Sequence, residues 1–532
     1  MEIILFGSFL ILLFIGVPVG FSMGLSAMAT IVYMQGMKAL LPTSGIMYAS
    51  MASETLLAIP FFILAGVIME VTGISARLIE LADACFGHLK GGIALTTIVA
   101  ALVFSSISGS GPATVAALGG ILIPALAKHG YRKRHAASLV ASAGEMGIVL
   151  PPSIAFIVFA VVASEYERIS ISRLFLAGIV PGILLAVAFY LVARFLPLQA
   201  EGAKTTARSH VDRAIGRGRW PVMAAFGRGN RSGASVGSSG EVGGSSRPEH
   251  GGGTSTPSTP AGAGGGAASA AMETGRDTLL RELAPEPVPG SAPEVAEAAE
   301  AVMTIRTQRA SSAEIRKAFL RALPGLLMPV IILGGIYGGI FTPTESAAVA
   351  AVYALLVGLV VSRDVKLKDL FRIFTQAGVQ SARIMFIVAA ATVFAYAITK
   401  YGVAENIAHG ILSITTNTVL IILFINVVLL IAGMFLDAIS AFYLFVPLFV
   451  PVLLEVGMDM TSIGVMMTVN LALGLVTPPV GIDLFVAAGI AKIPFGEAVK
   501  GIWPFFGAGL VVLMLITFVP AVSNFLPNLL GS

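Results

Sequence analysis

Apolar residues run through this chain in blocks of roughly 20, long enough to cross about 30 Å of hydrocarbon. Examples end near Met34, Val71, Ala163, Phe195, Val361, Ile398 and Ile490. The blocks lack the short alternating pattern of barrel strands, so they predict a bundle of spanning helices. Two stretches are too long for one span and carry small or polar residues at their centre. Residues 92–127 rise through "TTIVAALVFSSIS", turn at "GSGP" and return through "ATVAALGGILIPALA"; residues 418–455 turn near "GMFLDA". Each predicts a re-entrant helical hairpin. Directly after each comes an interrupted span: 136–164 contains "GIVLPPS" and 460–491 contains "GLVTPPV". A proline inside a helix removes a backbone donor and clashes with the preceding turn, at about 3 kcal/mol. Two such breaks predict two discontinuous helices.

The breaks also reveal a repeat. Matching Gly147 to Gly474 sets an offset of 327 residues, which also aligns Pro124 with Pro451 and Gly130 with Gly457. Gly178 and Pro181 match Gly501 and Pro504 at an offset of 323, and Pro18 matches Pro343 at 325. Lysine and arginine decide the relative orientation, because they are retained on the cytoplasmic side. The loop "KHGYRKRH" after Leu126 is strongly basic, whereas its counterpart "LEVGMDMTS" has no basic residue. Equivalent loops therefore face opposite sides, and the repeats are predicted to be inverted.

Composition agrees: 56% of residues are hydrophobic, only 12% are charged, and the mean hydropathy is +0.91, which no soluble domain sustains. The start, "MEIILFGSFLILLFIGVPVGF", has no basic n-region or small-residue cleavage site and reads as a first span. One cysteine, Cys85, excludes an intramolecular disulfide and a cysteine metal site. Residues 201–315 break the apolar pattern with Gly, Ser, Pro and Ala; they read as a disordered cytoplasmic linker unable to bury a core. The predicted organisation is a first membrane repeat at 1–200, this linker, and a second membrane repeat at 316–528.

Irregular backbone at membrane depth is tolerated where it lines a polar cavity, and there its carbonyls can hold a cation while helix N-termini face an anion. Ser105, Ser106, Ser108 and Ser110 are either ligands at the first tip or residues bonding back to their own helix. Asp437 lies at the second tip and is either functional or a helix cap. Thr477 offers a hydroxyl in the second break, where the first has Leu150. Glu145 and Asp483 flank the breaks, as coupling groups or as caps and interhelical partners. Arginine is absent from hairpins and breaks, so a bidentate carboxylate clamp is not expected. His88, His129, His135 and His409 lack metal-ligand spacing and read as solvated or interfacial.

The segments "SSISGSGPATVAALGGILIPALAKHGY", "GIVLPPS", "GGIFTPTESAAVAAVYAL", "GMFLDAISAFYLFVPLFVP" and "NLALGLVTPPVGIDLFVAAGIAK" resemble the large membrane subunit of the TRAP (tripartite ATP-independent periplasmic) transporters. The resemblance covers 1–200 and 318–528. It implies a multi-pass protein of the bacterial inner membrane that imports an organic acid, such as a C4-dicarboxylate or sialic acid, driven by sodium ions. It also implies an elevator mechanism, a small four-span membrane subunit, and a periplasmic substrate-binding protein as partners. Carried over by motif, one sodium site uses Ser105, Ser108, Gly147, Leu150 and Pro152. The other uses Gly433, Gly474, Thr477 and Val480. Ser110, Thr114, Ser153, Asp437, Asn470 and Pro479 are the groups expected to face the carboxylate substrate. The long linker and the charged Glu145 depart from the family's usual pattern.

A standalone sodium/dicarboxylate symporter would share the hairpins, breaks and repeat; the motif wording favours the three-part system. An enzyme is disfavoured, since the chain has no HExxH and no Ser/His/Asp set at plausible depth, and nothing suggests nucleic acid.

Overall fold

The apolar blocks fold into helices whose ends fall where glycine, proline or a capping side chain stops them. The computed structural model describes residues 1–89, 91–196, 309–361 and 365–531. Most of the predicted linker, 201–308, lies outside the described residues. In the first half the helices are α1 (Glu2–Ile15), α2 (Val19–Gln35), α3 (Leu41–Met51), α4 (Ala58–Val71), α5 (Ile74–Phe86), α6 (Gly92–Ser108), α7 (Gly111–Lys128), α8 (Lys133–Val149), α9 (Ile154–Ala163) and α10 (Ile171–Phe195). In the second half they are α11 (Ser312–Tyr337), α12 (Pro343–Leu356), α13 (Leu367–Lys400), α14 (Val403–Ile414), α15 (Thr418–Gly433), α16 (Ala438–Glu455), α17 (Met460–Gly474), α18 (Ile482–Ala491), α19 (Phe495–Phe518) and α20 (Pro520–Leu530).

Among the described residues seven helices are long and apolar enough to cross a membrane, and nine spans result if each bent pair counts as one. The protein is thus an all-helical polytopic bundle. One bend was not anticipated. The block ending at Val71 meets α5 at 69°, because Gly73 adopts φ +62°, a left-handed conformation open mainly to glycine. The first helix of the second half starts ahead of 316. Ser311 and Glu314 form a reciprocal capping box that starts α11 at Ser312, and the sequence signal S-x-x-E was there to be read.

The described residues of both halves belong to one compact unit. α8 lies at its centre, in contact with α6, α7, α9, α10, α17, α18 and α19. That enclosure buries His135 to 7% exposure in the first turn of α8, against the expectation of a solvated or interfacial ring. The second arm of each broken helix crosses to the other half: α9 packs on α16, and α18 packs on α7. Elsewhere α13 packs on α2, α3, α4 and α16, while α12 covers α4. At one end of α8, Arg134 lies 3.7 Å from Glu497, which also pairs with Lys500 at 2.8 Å.

Candidate functional site

The first tip is made by a change of backbone handedness. α6 ends when Gly109 turns left-handed (φ +62°) and its N–H donates to Ser105 O at 2.9 Å; Ser110 is extended, and Gly111-Pro112 starts α7. The break beside it follows from Pro151-Pro152. The residue before a proline is driven out of the helical region, and Leu150 is extended accordingly, so α8 stops at Val149. Ser153 then caps α9, donating to Ile148 O and accepting from Phe156 N at 3.5 Å. The two arms meet at 43° across a cis Pro151–Pro152 bond.

Tip and break touch. A Cβ on Gly147 would lie 3.1 Å from Ser105 Cβ and 3.4 Å from Ser110 C, and one on Gly109 would lie 3.2 Å from Pro152 O. Three hydroxyls gather there. Ser105 Oγ donates to Thr114 Oγ1 at 3.3 Å, Ser108 Oγ lies 3.0 Å from Thr114 Oγ1, and Thr114 Oγ1 donates to Ser110 O at 2.8 Å. Ser106 instead bonds back to Val103 O at 2.7 Å. Ser105, Ser108, Ser110, Thr114, Gly147 and Pro152 are therefore brought together. The Leu150 side chain points elsewhere, against Gly182 of α10. Hydroxyl and carbonyl oxygens of this kind are the donors that hard cations take.

The second tip and break meet differently. A Cβ on Gly474 would fall 2.5 Å from Gly433 Cα, so the ends of α15 and α17 approach main chain to main chain, a distance only glycine permits. The break is longer, spanning 475–481 against 150–153 in the first, and contains a second cis bond at Pro478–Pro479. Thr477 Oγ1 donates to Leu473 O at 2.6 Å, Val480 is half-buried, and Pro479 is exposed. Asp437 caps α16: its Oδ2 accepts from Ile439 N at 3.0 Å and Ser440 N at 3.3 Å, and its Oδ1 accepts from Ser440 Oγ at 2.5 Å. Asn470 Nδ2 donates to Asn426 O at 2.9 Å and to Asn426 Oδ1 at 2.8 Å, while Asn470 Oδ1 is buried without a partner. Asn426 was missed in the sequence, where a lone amide inside "IILFINVVLL" was the available signal. Among the described residues no group of three or more His, Cys, Asp or Glu could hold a metal ion.

The family model "Tripartite ATP-independent periplasmic transporter, DctM component" matches residues 6–227 and 290–522. The isethionate TRAP transporter permease protein DctMQ of Oleidesulfovibrio alaskensis is 35% identical over 98% of this chain and 66% of its own length. The C4-dicarboxylate TRAP transporter large permease protein DctM of Pseudomonas aeruginosa is 33% identical, covering 90% of this chain and 87% of its own. The sialic acid TRAP transporter permease protein SiaT of Haemophilus influenzae is 28% identical over 98% of this chain and 67% of its own. Among solved structures, the Alcanivorax borkumensis YdaH transporter overlays with a TM-score of 0.47 at 13% identity, over 91% of this chain and 88% of that one, too distant to bear on the site. With a family model covering most of the chain and its matches falling on both tips and both breaks, this protein belongs to the DctM component of the tripartite ATP-independent periplasmic transporters: a multi-pass permease of the bacterial inner membrane, not an enzyme.

Proposed function

We propose that this chain carries out sodium-coupled import of an organic acid, of the C4-dicarboxylate or sialic acid class, by an elevator movement. A periplasmic binding protein delivers the substrate, and a small four-span membrane subunit extends the scaffold. The observation that carries the reading is the contact of each helix–turn–helix tip with an interrupted helix: Ser105, in a tip whose hydroxyls bond to one another through Thr114, lies against Gly147, and Gly433 lies against Gly474. Unwound carbonyls in such a place replace part of an ion's hydration shell, and the adjoining helix starts stabilise a carboxylate.

In this reading the first sodium ion sits at Ser105, Ser108 and the main chain of Gly147, Leu150 and Pro152. The second sits at Gly433, Gly474, Thr477 and Val480. Ser110, Thr114, Ser153, Asp437, Asn470 and Pro479 line the route of the carboxylate. Two features narrow these roles. Asp437 is occupied as a helix cap, so it acts on substrate mainly by orienting the start of α16; Ser153 has the same limitation at α9. The re-entrant hairpins, the inverted repeats and the division into a moving unit and a scaffold belong to the same proposal.

The test is uptake of a labelled dicarboxylate or sialic acid into proteoliposomes, with sodium replaced by choline and with each partner omitted in turn. Uptake that needs an inward sodium gradient, the small subunit and the binding protein supports the proposal. Uptake by this chain alone identifies a standalone symporter, and uptake indifferent to sodium overturns the coupling.

A further inference from the structure

Two carboxylates lie beside the first tip and take no part in the contacts described above. Glu145 on α8 and Asp483 on α18 are both at 0% exposure, and none of their four oxygens has a hydrogen-bond partner. They come from opposite halves of the chain and meet because α18 packs on α7 and α8. Asp483 Oδ2 lies 2.5 Å from the position a Cβ would take on Gly111 and 3.5 Å from the corresponding position on Gly144. It is thus seated at the first residue of α7 and one residue from Glu145, a place open only because position 111 carries no side chain.

Buried carboxylates ordinarily cap a helix or pair with a cation, and these do neither. The residues at the cap positions of α8 and α18 are Arg132 and Gly481. On the helices packed around the pair, basic side chains occur only within two turns of the ends: Lys128 on α7, Lys133 and Arg134 on α8, Arg173 and Arg194 on α10, and Lys500 on α19; Lys492 follows α18.

A third group on the same face has the same deficit. Ser142, one turn before Glu145, is 1% exposed and its hydroxyl has no partner. A helical serine normally donates to the carbonyl four residues back, as Ser138 does to Arg134 O at 2.8 Å. Five hard-donor oxygens, four on the two carboxylates and one on Ser142, are thus enclosed without a partner along this stretch of α8 and the facing start of α18. Ionised carboxylates left so cost several kcal/mol each, and their like charges repel. A small hard cation answers both deficits, and the positive end of α7, roughly half an elementary charge, offsets the remaining excess.

Neither acid is mirrored by the repeat. At the offset of 327, Glu145 corresponds to Ala472 and Asp483 to Phe156. This place therefore has no counterpart in the other half, and its acids are not among the residues of the two tip–break contacts.

We infer that Glu145, Asp483 and Ser142 form a further cation site, which takes one sodium ion and adds it to those moved with each substrate. The inference rests on the sodium-coupled reading above, and its test separates the two. The full chain in detergent is heated in increasing sodium chloride at constant ionic strength, balanced with choline chloride. The melting temperature is read for wild type, Glu145→Gln, Asp483→Asn and Ser142→Ala, and uptake is then measured in proteoliposomes with the partners present. The wild type is expected to gain stability with sodium. In the two carboxylate variants the sodium concentration giving half that gain should rise at least about tenfold, and in Ser142→Ala by a smaller factor. The apparent number of sodium ions in uptake should fall by one. Variants whose melting in choline equals that of wild type show that the loss is one of binding, not folding. A wild type that responds to sodium, with all three variants responding equally, overturns this inference alone; a wild type indifferent to sodium in melting and in uptake overturns both readings. A stabilisation obtained only from calcium or magnesium, or an altered pH dependence with sodium response intact, also overturns it.

Discussion

The two tip-and-break contacts occupy equivalent places in the chain, yet they are built from different materials. At the first, Ser105 lies against Gly147 in a tip whose hydroxyls bond to one another through Thr114, and a Cβ at Gly147 would still have 3.1 Å to its nearest neighbour. At the second, Gly433 meets Gly474 directly, and a Cβ at Gly474 would be only 2.5 Å from backbone. The first contact can adjust through side chains that rotate; the second is fixed by main chain. The two halves thus share the location of irregular backbone without sharing how the two surfaces are fitted together.

The largest expected effect follows from that difference. Gly474→Ala forces the ends of α15 and α17 apart and should destabilise the protein by about 1 to 3 kcal/mol or more, with loss of uptake. Gly147→Ala meets Ser105 Cβ at 3.1 Å, a contact that a shift of a few tenths of an ångström between α6 and α8 relieves, and should cost under about 1 kcal/mol. Thermal unfolding in detergent reads both, and equal losses would break the comparison.

A second pair concerns the hydroxyls. Thr477→Ala removes the one hydroxyl in the second break, and the apparent sodium affinity of uptake should weaken by about 1 to 3 kcal/mol. Ser105→Ala should produce a loss of the same order, because the first break has Leu150 where the second has Thr477, and its Ser153 hydroxyl is taken up in capping α9, which leaves the tip to supply the hydroxyls. An unchanged sodium curve in Thr477→Ala would mean that the second contact binds through main chain only.

The smallest effects separate the two turns. Asp437 accepts three hydrogen bonds at the start of α16, whereas Ser110 makes no side-chain cap at the start of α7. Asp437→Ala should therefore cost about 1 kcal/mol in stability, and Ser110→Ala under about 0.5 kcal/mol. A larger loss from Ser110→Ala would give that serine a structural part that its present contacts do not.

Local chemistry made much of this legible in the sequence. Proline pairs end helices wherever they stand, and a glycine between two helical runs announces a turn, so the tips and breaks could be read within a few residues of where α6 to α9 and α15 to α18 begin and end. What stayed hidden depends on distant partners. The crossing of α9 onto α16 and of α18 onto α7 joins segments roughly 280 and 370 residues apart, and nothing at position 483 signals that its carboxylate will lie against Gly111. Asp437 was open between substrate ligand and helix cap because both uses need an acid at a helix start; geometry alone distinguishes a cap that accepts from Ile439 N and Ser440 N. His135 departs from expectation for a related reason: a histidine without metal-ligand spacing reads as solvated or interfacial, but seven helices close around α8.

The most direct measurement is a cryo-electron-microscopy map of the protein with its membrane partner, prepared in parallel in sodium and in choline, at a resolution that separates ions from carbonyl oxygens. The account predicts a sodium-dependent density enclosed by Ser105, Ser108 and the Gly147 main chain, and another bounded by Gly433, Gly474 and Thr477. Maps that are identical in the two salts at both places would contradict it.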